Sequence, residues 1–135
     1  MRAGDLPEGV QRLIAEHIDS VEQLEILLLL HKDAARAWSA EAVARELRVS
    51  HISAGDRLKE LMRAGILVRV EGAGSGPEYR YAPESPKLEE SVSGLEKAYS
   101  ERRVTVINLI FSKPVDKIRT FADAFRLRKD DDDNG

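Results

Sequence analysis

The chain of 135 residues contains no cysteine. That absence excludes a disulfide framework, a thiolate metal site and a cysteine nucleophile. Long apolar runs are also missing. The longest, Ile26 to Leu30, is far short of the roughly 20 residues that span a bilayer. No apolar h-region follows Met1 to Asp5, so no secretory signal is expected, and a soluble cytoplasmic protein is the expectation. There is no Ser–His–Asp order, no paired-carboxylate cleft and no cofactor fingerprint, so neither an enzyme nor a bound cofactor is expected. An excess of positive charge is lacking as well. Twenty-one Lys and Arg stand against 24 Asp and Glu, a net −3, and bulk charge therefore does not mark a nucleic-acid binder. Four of the acids, Asp130 to Asp133, sit together at the far end, and the rest of the chain carries +1. Such a run reads as a solvated, disordered acidic tail over residues 129–135.

What is present suffices for one folded domain with an appended arm. Apolar residues make up 42% and charged residues 33%, enough to bury a core. Residues 1–19 carry Leu6, Val10, Leu13, Ile14 and Ile18 at helical spacing, which predicts an amphipathic helix beginning near Pro7. Ser20, three residues before Gln23, fits a capping box opening a second helix. That helix is apolar almost all round near its end and is expected at the centre of the core. Ser39 is an N-cap candidate for a short helix, Ala40 to Leu47. After the tight connection Arg48-Val49-Ser50, a further helix is expected to reach Ala64, with Gly65 ending it. The period then changes. Ile66 to Glu71 and Tyr79 to Ala82 are strand-like, and the glycine-rich residues between them predict a two-stranded hairpin with a loose tip.

Pro83 and Pro86 mark a boundary, so residues 20–82 read as one unit and 83–128 as a helical arm. Ser85-Pro86 has the order that opens helices. Leu88, Val92, Leu95, Tyr99, Arg102, Val106 and Leu109 then fall at alternating spacings of 4 and 3, a seam with one polar interruption. Val104 to Phe111 is also rich in β-branched residues, but helix is favoured because the seam stays in register. Ser112 and Pro114 predict a last helix with Val115, Ile118, Phe121, Ala122 and Phe125 inward.

The informative stretch is Trp38 to Ala82. A short helix, a tight turn and a second helix make a helix-turn-helix. Ala44 and Ala54 are small where the two helices meet, Val49 lies beneath the turn, and Leu58 and Leu61 anchor the second helix. The residues Glu41 to Ser50, Ala54, Leu58-Lys59-Glu60-Leu61 and Ala64-Gly65-Ile66-Leu67 resemble those of bacterial winged-helix regulators, the MarR-type and related families among them. The resemblance covers roughly residues 20–82. It implies a mainly α fold with a small β-hairpin (α+β), a recognition helix from about Ser50 to Ala64 in the major groove, and the hairpin as a wing on the flanking backbone.

Helix geometry turns Ala54, Leu58 and Leu61 inward, so Ile52, Ser53, Asp56, Lys59 and Arg63 point out, with His51 beside the first turn. The DNA-contacting candidates are Ser50, His51, Ile52, Ser53, Asp56, Arg57, Lys59 and Arg63, with Arg69 and Arg80 on the wing. Ser53 or His51 suits base edges, whereas Lys59, Arg63, Arg69 and Arg80 suit phosphates. A carboxylate at Asp56 repels phosphate but can accept from a cytosine amino group. Trp38 to Ala82 holds seven Lys and Arg against six Asp and Glu. This near balance favours the competing reading, a protein-interaction adaptor on the same fold. The arm predicts a homodimer through Leu88, Val92, Leu95, Tyr99, Val106, Leu109, Ile110 and Phe111, although it could instead pack back on its own chain.

Other signals receive structural readings. The glycines between residues 72 and 76 precede a strand rather than a helix, which does not suit a phosphate loop. His17, His31 and His51 lack partners at metal spacing. Trp38 is expected in the core, and Glu89-Glu90 and Arg102-Arg103 on solvated helix faces. No polar cluster defines a ligand pocket between arm and winged helix.

Overall fold

The computed structural model describes residues 6–71 and 76–113. The expected wing tip, the final helix with Val115 to Phe125 and the acidic tail lie outside the described residues.

Val10, Leu13 and Ile14 are buried along the inner face of α1 (Glu8–His17), and Leu6 and Ile18 are buried just before and just after it, the stripe their spacing predicts. The Ser20 hydroxyl accepts from Gln23 N at 3.1 Å and opens α2 (Val21–Lys32). The Gln23 side chain reaches back to accept from Asp19 N at 2.7 Å. Two backbone donors that a helix start leaves open are satisfied in this way. Leu24, Ile26, Leu27 and Leu30 of α2 have no exposed surface, so this helix forms the centre of the core.

A short strand, β1 (Ala37–Ser39), comes next and was not expected from the sequence. Its three residues are too few to show a period, and its partner lies about forty positions further on. β2 (Leu67–Val70) and β3 (Glu78–Tyr81) form the expected hairpin, and β1 joins the far side of β3, so the hairpin becomes a three-stranded antiparallel sheet in the order β1-β3-β2. Trp38 faces Tyr79, and Leu67 faces Tyr81; all four are buried, as the core expectation for Trp38 required. Between β1 and β2 lie α3 (Ala40–Leu47), capped by Ser39 accepting from Ala42 N, and α4 (His51–Arg63). Gly65 follows α4 at φ +81°, where a Cβ would collide with the Glu84 carboxylate. The architecture is mainly helical with a small sheet, in winged-helix order.

The arm departs from the straight seam. It divides into α5 (Pro86–Glu101) and α6 (Arg103–Phe111), with Arg102 between them at φ −139° and ψ 53°. A continuous helix would have turned Arg102 inward with the rest of the seam. The break leaves this residue exposed and lets α6 pack on α1 as well as on α5. Val104 to Phe111 is helical, and its β-branched content does not make a strand. Gly9 and Gly94 let α1 and α5 approach closely; a Cβ on Gly94 would sit 2.9 Å from a Val10 methyl. Lys113 Nζ donates to the carbonyls of Ile14 and Ile18 at 2.9 and 3.0 Å and tethers the segment after α6 to the C-terminus of α1.

Most of the seam is filled within its own chain. Val92, Leu95, Tyr99, Val106 and Ile110 are buried within their own chain. Leu88 and Leu109 are half-buried, and Phe111 alone of the eight is exposed.

Candidate nucleic-acid interface

The Ser50 hydroxyl accepts from Ser53 N at 2.9 Å and fixes where α4 begins. Ala54, Leu58 and Leu61 are completely buried against α2 and α3, which sets the rotation of the helix about its axis. Ala40 of α3 lies 3.7 Å from where a Cβ on Gly55 would sit, an ordinary van der Waals contact where the two helices cross. The opposite face is open. His51, Ile52, Asp56, Lys59 and Arg63 are exposed, Ile52 at 79%. At about 100° per residue, Ile52, Asp56, Lys59 and Arg63 fall within about 60° of one another, along roughly 16 Å of helix. That length suits a major groove.

Two candidate residues point elsewhere. Ser53 Oγ donates to a Glu22 carboxylate oxygen on α2. Arg57 is half-buried, donates from Nε and Nη2 to Glu60 at 2.8 and 2.9 Å, and places Nη1 3.8 Å from Glu22. Both brace α4 against α2 rather than facing solvent. A helical period cannot show this, because the carboxylate that captures them lies on another helix.

On the sheet, Arg69 pairs with Tyr79 and Arg80 with Val68. Paired residues share a face and neighbours alternate, so Arg69 lies on the side of Trp38 and Tyr79, and Arg80 on the opposite side. Both are exposed, but they do not form one cationic surface.

Arg48, between α3 and α4, is exposed and left-handed at φ 58° and ψ 46°. It is the described non-glycine residue at positive φ, and it sits two positions before the cap of α4. As a cation beside the turn, it is a phosphate-contact candidate that the sequence treated only as a connection. The signal was present in the sequence: a charged residue where glycine usually ends a helix.

A cleft of about 660 Å³ runs between α4, the start of α3 and the start of β3. It is lined by Glu41, Asp56 and Glu78 as well as by Arg45 and Lys59. Arg45 donates to Glu41 at 2.9 Å, which neutralises one pair and leaves two carboxylates, Asp56 and Glu78, against Lys59.

Where the arm meets the winged helix, the structure reveals a polar cluster that the sequence did not. His31 of α2 lies 3.2 Å from Glu96 and 3.7 Å from Glu89, with its ring edge-on to Tyr81 at 4.9 Å. Tyr81 OH donates to Glu89 at 2.8 Å. Burial first, then the hydrogen bond to Glu89 and the charges of Glu89 and Glu96, pushes the Tyr81 hydroxyl far above the usual phenol range. Glu89 is therefore a junction residue rather than part of a solvated face. Among the described residues, no group of three or more His, Cys, Asp or Glu could hold a metal, and no helix is long and apolar enough to cross a membrane.

The fold and the open face of α4 define a winged-helix domain. No protein-family model matches the chain, and no curated protein is similar to it. Among solved structures, a MarR family protein from Bacillus stearothermophilus is similar at 15% identity and a TM-score of 0.48, over 96% of this chain and 86% of that one.

Proposed function

We propose that the chain is a cytoplasmic, homodimeric regulator that binds duplex DNA through α4. Residues 20–82 form the reading unit in this account, and 83–128 the dimerising arm. One observation carries the proposal: α4 is anchored by three fully buried residues, and no described element covers its other side, which projects beside a hairpin. His51, Ile52 and Asp56 face base edges; Lys59, Arg63, Arg48 and one of the wing arginines meet phosphates. Ser50, Ser53 and Arg57 hold the helix in place. The pairing surface is the outer side of α6, where Val104 and Phe111, seven residues apart, are 69% and 65% exposed. For a second copy covering this stripe in an isologous contact to read both half-sites, the two α4 helices must lie about 34 Å apart, one turn of DNA.

The experiment is selection from random duplexes with the purified chain, beside light scattering at micromolar concentration. The expected result is an enriched inverted repeat bound by a particle of two chains. The lack of excess positive charge in the cleft favours a second reading, a protein-binding adaptor. No shift of any duplex at low salt, with one stoichiometric protein partner, would establish that reading instead.

A further inference from the structure

α4 carries two carboxylates near its middle, and the structure treats them differently. Glu60 is gripped by Arg57 through two hydrogen bonds. Asp56 is exposed, lies on the outward stripe and, among the described residues, has no cation within 4 Å. Lys59 is only three positions away, yet it makes no ion pair with Asp56. One helical turn earlier, Ile52 holds a branched apolar side chain almost wholly in solvent. Neither residue contributes to the core or to the bracing of α4 against α2.

Each has a matching group in the major groove. A carboxylate accepts hydrogen bonds and does not donate. Guanine offers O6 and N7 and thymine offers O4, all acceptors, so a carboxylate is repelled by both. Adenine offers an amino donor, but with the N7 acceptor next to it. Cytosine offers the N4 amino group with the paired guanine O6 on one side only and a C–H on the other, whereas the adenine amino group lies between N7 and the thymine O4. The apolar group in that groove is the thymine methyl. Ile52 and Asp56 are about 6 Å apart along the helix axis, which corresponds to one or two base-pair steps of about 3.4 Å.

Building on the reading of α4 as the DNA-contacting helix, we propose that each half-site contains a cytosine whose amino group donates to Asp56. One or two base pairs away lies a thymine whose methyl packs on Ile52. The aspartate thereby sets specificity: it weakens attraction to phosphates in general and is compensated only where a cytosine amino group meets it.

Random-duplex selection with the full chain, with Asp56→Asn and with Ile52→Ala tests this. Both positions are exposed, so the variants should melt as the parent does, which a thermal scan checks. The parent should enrich cytosine in one column of each half-site and thymine within two columns of it. Replacing that cytosine should weaken binding by about tenfold or more. Asparagine pairs with adenine through N6 and N7, so Asp56→Asn should move that single column from cytosine to adenine and leave the others unchanged. Ile52→Ala should flatten the thymine column. Binding with no cytosine column, or with the same base selected by the parent and Asp56→Asn, overturns the inference while leaving α4 as the DNA-contacting helix. Enrichment of no duplex by the parent overturns both.

Discussion

Replacing Arg48 with glycine should stabilise the fold while weakening its hold on DNA. Arg48 occupies the left-handed region at φ 58°. For a residue with a Cβ, that conformation costs roughly 1–2 kcal/mol. Glycine removes this strain but brings a more flexible unfolded chain, which offsets roughly 0.5–1 kcal/mol. The balance is a gain of about 0.5–1 kcal/mol for Arg48→Gly. Gly65→Ala applies the same physics with the opposite sign: φ is +81° and the new Cβ meets the Glu84 carboxylate, so a loss of about 1–2 kcal/mol is expected. Urea denaturation followed by circular dichroism measures both. On DNA, loss of one phosphate contact should lower the slope of log affinity against log salt by about 0.9 per chain. A less stable Arg48→Gly would refute the strain argument. A stabilised variant with an unchanged salt slope would remove Arg48 from the interface.

Three further outcomes are expected. Tyr81, with its hydroxyl raised by burial and by Glu89, is protonated in both the folded and unfolded chain below its ordinary value of 10.0. Above that pH the unfolded chain ionises first, so stability should fall by about 1.4 kcal/mol per unit, and alkaline melts of Tyr81→Phe should lack this component. Gly94→Val should destabilise by about 1–3 kcal/mol in thermal unfolding, because even its Cβ would lie 2.9 Å from Val10. Phe111→Asp should shift light scattering towards one chain without lowering the melting temperature of the monomer, since Phe111 is 65% exposed.

The sequence exposed those features whose physics is local. Helix starts at Ser20, Ser39, Ser50 and Ser85 were legible because a hydroxyl three positions before a backbone donor is a complete device within four residues. The inward faces of α1 and α4 followed from period alone. What escaped depends on partners distant in sequence. β1 exists because β3 lies beside it, and Ser53 and Arg57 turn inward because Glu22 awaits them across α2. The heptad reading of the arm as one continuous helix failed at Arg102, where the helix breaks and α6 packs on α1 as well as on α5. The cluster around His31 joins α2, β3 and α5, and no spacing rule connects those three.

The central claim is that the outward face of α4 meets duplex DNA. Its most direct test is the salt dependence of binding for the parent and for Lys59→Ala combined with Arg63→Ala, on the best duplex from selection. Both lysine and arginine are exposed on the open stripe, so the double variant should fold unchanged. Its slope of log affinity against log salt should fall by about 1.8 per chain, with weaker binding to every duplex tested. Equal affinity and equal slope for the two proteins would show that DNA, if bound, is held by another surface.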